Sequence, residues 1–137
     1  MSADAITRRS PPCHCGRLSA YEACCGRWHA TGAPPAPDAE CLMRSRYSAY
    51  VLGLHDYLLA TWHASTRPAA LDLPEAGLRW LGLEVRRAAS VGDREAQVEF
   101  VARSKVGGRA HRLHETSRFV LEGGRWYYVD GDLHNSR

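Results

Sequence analysis

Cys13, Cys15, Cys24 and Cys25 form the pattern C-x-C-x8-C-C, two close thiol pairs joined by a short loop. Thiolates are soft ligands, and two such pairs can wrap one tetrahedral Zn²⁺ without a pre-existing core, so zinc is the expected cofactor. The other uses of clustered thiols explain less. Met1 to Ser10 contain no apolar stretch of signal-peptide length, so export and a disulfide framework are not expected. Cys41 makes the cysteine count odd, and no C-x-x-C redox pair is present. The expected ligands are Cys13, Cys15, Cys24 and Cys25, with His29, four residues beyond Cys25, as the alternative fourth ligand. Gly16 and Gly26 follow the two pairs and let the backbone aim amides at sulfur, while Arg17 and Arg27 are placed to offset thiolate charge. Four thiolates close the coordination sphere, which argues against hydrolytic zinc with an open water position. His14 reads as solvent-facing and Cys41 as a packed thiol.

The segment CHCGRLSAYEACCG resembles the SEC-C motif, the small zinc-binding element at the C-terminus of the SecA translocation ATPase. The cysteine spacing matches fully. The family's proline between the first two cysteines is replaced by His14, and its Gly-Ser-Gly-Lys type segment by Arg17, Leu18 and Ser19. CCGRWH, LMRSRYSAYVLGLHDYLLATWH, VEFVARSK, LHETSRF and GGRWYYVDG extend the resemblance over most of residues 13–131, to the YchJ-like bacterial proteins. That resemblance implies an N-terminal SEC-C-like zinc element followed by a nuclear-transport-factor-2-like (NTF2-like) domain. It implies no activity. The SecA element docks a chaperone and contacts ribosomes, so the similarity implies a protein partner or a ribosomal surface.

The elements that must position the cysteines are legible from composition and period. The 137 residues allow one modest domain plus an appendage, divided as 1–30 for the metal element, 31–40 for a Pro-rich linker, and 41–137 for the main domain. Gly32, Pro34, Pro35 and Pro37 mark the linker. Asp38 then offers an N-cap oxygen, and one long helix is predicted from Leu42 to Trp62 or His63, with Met43, Tyr47, Tyr50, Val51, Leu54, Leu58 and Leu59 on its apolar face. A short second helix is predicted at Pro74 to Trp80. From Leu83 the period changes to two: a first strand turns at Gly92 and Asp93, Ala96, Val98, Phe100 and Ala102 form the inward row of the second, and Gly107 with Gly108 closes a hairpin. A third strand over about Ala110 to Leu121 and a fourth around Trp126 to Val129 complete a meander of about four strands. The fold class is α+β, which agrees with the curved-sheet cone the resemblance implies.

Net charge is +3, with 18 basic residues dispersed among 15 acidic ones, so nucleic acid is not an expected partner. No apolar run reaches the roughly 18 residues of a membrane span, and a cytoplasmic location is expected. Alternation puts Glu115 on one strand face with Leu113, Ser117, Phe119 and Leu121, where a carboxylate needs a partner; Arg44 and Arg46 are the expected cations. That pair is read first as architectural and second as the polar floor of a pocket, which would make the protein a small-molecule binder or enzyme. His55 and Asp56 read as solvent-side, His63 as standing at a fraying helix end and His114 on the outer strand face, and no catalytic set is assigned. The aromatic strand Trp126 to Tyr128 needs a cover, which a second copy of the chain would supply.

Overall fold

Glycine pairs set the hairpins. In the computed structural model, described here for residues 12–72, 74 and 76–134, Gly107 and Gly108 both take left-handed φ (57° and 80°), as do Gly123 and Gly124 (59° and 79°). Positive φ at both central residues is the two-residue turn whose twist matches flanking strands. Between the turns run β1 (Arg79–Gly92), β2 (Glu95–Val106), β3 (Arg109–Glu122) and β4 (Arg125–Leu133), a four-stranded antiparallel meander in the order β1-β2-β3-β4. Ala96, Val98, Phe100 and Ala102 are buried in one row, as the alternation predicts, and meet Phe119 of β3.

The helices are shorter than expected. Besides α1 (Gly26–His29), the predicted long helix is two: α2 (Ala39–Leu52) and α3 (His55–Ala60). Asp38 is the N-cap as read from sequence, its carboxylate accepting from the Cys41 amide at 2.7 Å. Gly53 ends α2 in the left-handed conformation, and the Leu54 amide returns to the Ala49 carbonyl at 2.9 Å, the long bond of a Schellman cap. The apolar period runs straight across Gly53, which is why the break was not predicted. The short helix expected at Pro74 to Trp80 does not form among the described residues. Gly77 has φ 78°, and Arg79 and Trp80 already belong to β1. Trp80 packs edge-on against Tyr47 of α2 at 5.6 Å, a tertiary contact that outweighs the local helix signal.

α2 lies on the inner face of the sheet, with Leu42, Met43 and Tyr47 against Val98, Phe100 and Phe119. Its other faces are covered too, since Ser45, Arg46, Ser48 and Ala49 are also buried. After α3 the chain runs beside β4: the Tyr128 amide donates to the Thr61 carbonyl at 2.9 Å and the His63 amide to the Tyr128 carbonyl at 2.7 Å. Part of the edge of β4 is thus paired from within the chain.

The expected ion pair of Glu115 with Arg44 or Arg46 is not made. Arg46 is 4% exposed and donates to the Leu58 carbonyl at 2.7 Å and the Thr61 hydroxyl at 2.6 Å. Its guanidinium lies over the Trp62 and Tyr128 rings at 5.2 and 4.7 Å, and among the described residues no carboxylate reaches ion-pair distance. Arg44 turns the other way, to Glu40 and to the Cys15 carbonyl. Glu115 instead accepts from the Ser117 hydroxyl at 2.7 Å and lies across Gly131 of β4, where a Cβ would overlap the carboxylate. The half-buried carboxylate is held by a hydroxyl and a missing side chain.

Two outcomes follow from this packing. Gly131→Ala should cost about 1–3 kcal/mol in urea unfolding by displacing Glu115, and the cost should shrink in a Glu115→Ala background. Equal costs in both backgrounds would contradict the contact. Arg46→Lys should cost about 1–3 kcal/mol, because a compact ammonium loses the broad planar contact that the guanidinium makes with the two rings.

Candidate metal centre

The first cysteine pair sits in a tight loop. Pro12 and Ala20 form an antiparallel bridge, the Cys13 amide donates to the Ser19 carbonyl at 2.8 Å, and Gly16 at φ 96° turns the chain. A Cβ on Gly16 would meet the Leu83 carbonyl at 2.8 Å, so glycine here also permits close approach to β1. The second pair stands where a 3₁₀ turn (Tyr21–Ala23) passes into α1, with Cys25 as the N-cap residue and the Trp28 amide bonded to its carbonyl at 3.0 Å. Adjacent cysteines thereby point into one space.

All four thiols are buried, Cys15 completely, and all four Sγ atoms lie within 4.8 Å of one another. The Cys15 and Cys24 sulfurs are 3.6 Å apart, and the cysteines are free thiols, not disulfides. A tetrahedral ion with bonds of about 2.3 Å to sulfur has ligand atoms about 3.8 Å apart, so the donor set and its spacing fit one soft or borderline cation. His29 lies outside this group. Its Nε2 donates to the Ser45 carbonyl at 2.8 Å, which leaves Nδ1 to accept from the Tyr21 hydroxyl at 2.7 Å. Both ring nitrogens are committed, and burial lowers the imidazole's pKa. Cys41 is buried in the main core, apart from the four.

Electrostatics separate the sulfurs. Hydrogen bonding from Cys25, then from the Arg17 amide and Cys24, outweighs burial and brings the Cys15 thiol down to about 4. Its partners move oppositely: Cys25 is pushed strongly upward, first by its hydrogen bond to Cys15, and Cys24 rises to about 11, first through burial. Protein groups alone therefore favour a thiolate at Cys15 with protons kept on Cys24 and Cys25. Ionising the whole set in this buried space requires a cation among the sulfurs.

The supporting groups were only partly foreseen. Arg17 turns its amide to Cys15, but its guanidinium goes to Glu40 at 3.3 Å and Cys41 at 3.7 Å. Arg27 lies over Trp28 and donates to the Cys24 carbonyl, so neither guanidinium faces the thiols. The Ser48 hydroxyl, fully buried on α2, does face them: it is 3.6 Å from Cys13 Sγ and also hydrogen-bonds Cys25. Arg44 fixes the Cys15 carbonyl at 2.8 Å. Ser45 and Ser48 were legible only as polar interruptions of an apolar helix. Arg8 and Arg9, which with Arg17 and Arg27 would make a basic N-terminal element, lie outside the described residues.

Arg46 and Glu115 do not meet as a pocket floor. One cleft that does form lies between the linker and the main domain, about 300 Å³, lined by Trp28, Pro34, Pro35, Tyr57, Arg125 and Trp126 among others. No helix among the described residues is long and apolar enough to cross a membrane.

Comparison with known proteins agrees with this architecture. Residues 38–131 match the family model described as YchJ, middle NTF2-like domain. A UPF0225 protein of Methylibium petroleiphilum is 66% identical over 122 residues, covering 89% of this chain and 88% of its own. One from Chromobacterium violaceum is 62% identical over 128 residues, covering 90% and 93%. Among solved structures, a SEC-C motif containing protein from Rhodopseudomonas palustris aligns with TM-score 0.77 at 33% identity, over 90% of this chain and 99% of that one. A second, from Psychrobacter arcticus, aligns with TM-score 0.72 at 29% identity, over 94% and 85%. Its cysteine spacing, its NTF2-like domain and these relatives together place the chain in the YchJ-like UPF0225 family.

Proposed function

We propose that the protein is a docking module built on a closed structural zinc site, with Cys13, Cys15, Cys24 and Cys25 as the four ligands. The buried, mutually adjacent thiols carry the zinc reading, because four sulfurs in a space shielded from solvent suit a structural ion and leave no position for a reacting water. The metal fastens residues 12–30 onto the linker and the NTF2-like domain. The docking reading is supported by the loop between the cysteine pairs. Its Leu18 is 90% exposed, a large apolar side chain on a loop anchored at both ends by ligands. A fixed loop presents such a residue at little entropic cost, as a partner-binding anchor requires. The partner class is a protein or ribosomal surface, in keeping with the likeness to SEC-C proteins.

A second reading is favoured by the cleft beside Trp28 and Trp126, where one cation, Arg125, stands among aromatic and proline walls. A small aromatic anion would suit that chemistry.

Protein purified without added metal should carry one zinc per chain. Serine at any of the four cysteines should lower that content, while His29→Ala should keep the zinc and cost about 1–2 kcal/mol of stability. Zinc lost with His29→Ala but retained with Cys25→Ser would overturn the ligand set. Leu18→Glu should leave zinc content and unfolding midpoint unchanged and weaken co-sedimentation with purified ribosomes, or capture of protein partners, by about tenfold or more. Identical retention of both proteins would remove the docking role.

A further inference from the structure

A second gathering of metal-ligating side chains lies on the outer face of the sheet, away from the cysteines. Glu99 of β2, His114 of β3 and His134, one residue beyond β4, bring a carboxylate oxygen and two imidazole nitrogens within 4.8 Å of one another. Strand register builds this group. Glu99 pairs with Thr116 and Val101 with His114, so Glu99 and His114 are diagonal neighbours on one face, above the fully buried Val101. The His134 amide donates to the His114 carbonyl at 2.8 Å, which sets the two rings side by side, stacked at 4.0 Å and 10°.

The atoms are partly ordered for coordination. His114 Nε2 is 2.7 Å from Glu99 Oε2, and His134 Nε2 is 2.7 Å from the Thr116 hydroxyl. The His114 hydrogen bond holds the Glu99 carboxyl below its ordinary range. The side chains of His114 and Glu99 are only 15% and 29% exposed, sheltered for a histidine–carboxylate pair on an outer sheet face. Two neutral imidazoles with one carboxylate form the donor set that zinc and similar borderline ions take in sites with open positions.

We propose that Glu99, His114 and His134 form a second, solvent-open site for a divalent borderline metal ion such as Zn²⁺ or Ni²⁺. Ligand atoms about 3.4 Å apart suit bonds of about 2.1 Å, so a bound ion would part the 2.7 Å Glu99–His114 contact slightly and draw in the more distant His134. His134 supplies that movement. It is exposed and lies past the last paired strand residue, so its ring can turn out of the stack toward Glu99, giving up the Thr116 bond. Arg87 stands opposite Glu99 in the register, and Arg86 also acts on its charge, so the site holds metal more weakly than the thiol cluster and exchanges it. Its remaining positions are free for water or for a ligand from another molecule.

The test uses untagged full-length protein with its tightly held metal in place, titrated with zinc or nickel chloride. Calorimetry gives stoichiometry, and nitrogen-detected NMR reads the histidine rings. The expected result is one further saturable equivalent that moves the His114 and His134 ring signals and is weakened about tenfold or more by Glu99→Gln, His114→Ala or His134→Ala. His111→Ala, on the same strand but outside the group, should leave it unchanged. No further equivalent, or one that none of the three substitutions weakens, would overturn the proposal. The ring signals separate this result from any failure at the cysteines.

Discussion

A helix with almost no solvent face is the constraint on which the rest of the structure depends. α2 packs Leu42, Met43 and Tyr47 on the sheet, yet it also buries Ser45, Arg46 and Ser48, which a two-layer fold would send to water. Each of these polar groups finds a partner in a different neighbour. Ser48 meets the Cys13 sulfur, the Ser45 carbonyl accepts from His29 and its hydroxyl meets Tyr57, and Arg46 caps the end of α3 while lying over Trp62 and Tyr128. Unpaired, such groups would each cost on the order of 1–3 kcal/mol. The cysteine element is thus the missing cover of the domain rather than a bead on a string.

That coupling would give a metal held by the thiols a mechanical meaning. The cysteine loops hold little apolar side chain of their own apart from the thiols, with Tyr21 and Leu83 packed against them. Sulfur–metal bonds can supply the order that such a small element cannot draw from burial. The order then passes to the domain through side chains: Arg44 to the Cys15 carbonyl, Arg17 to Glu40, and His29 to Ser45. His29 works from this position as a bracket between Tyr21 and α2, with no lone pair left for a metal.

Much of this was legible in the chain. The cysteine spacing pointed to one metal space, Asp38 to a helix start, and the glycine pairs to the hairpins, because each is a local signal with a local cause. The break at Gly53 was hidden by apolar residues that kept their helical period on both sides. Trp80 entered the sheet because Tyr47 was waiting for it, a contact no window of sequence contains. Glu115 illustrates a further limit. Alternation placed it on the correct face, but its neighbours Ser117 and Gly131 come from its own strand and the next, whereas charge alone suggested an arginine. Likewise the Glu99, His114 and His134 group exists only through register across three strands.

The most direct measurement is zinc K-edge X-ray absorption on protein purified without added metal. A shell of four sulfur atoms at about 2.3 Å is the predicted result, since the buried thiols lie together and His29 is committed elsewhere. A shell of three sulfurs and one nitrogen at about 2.0 Å, or protein without zinc, would contradict it.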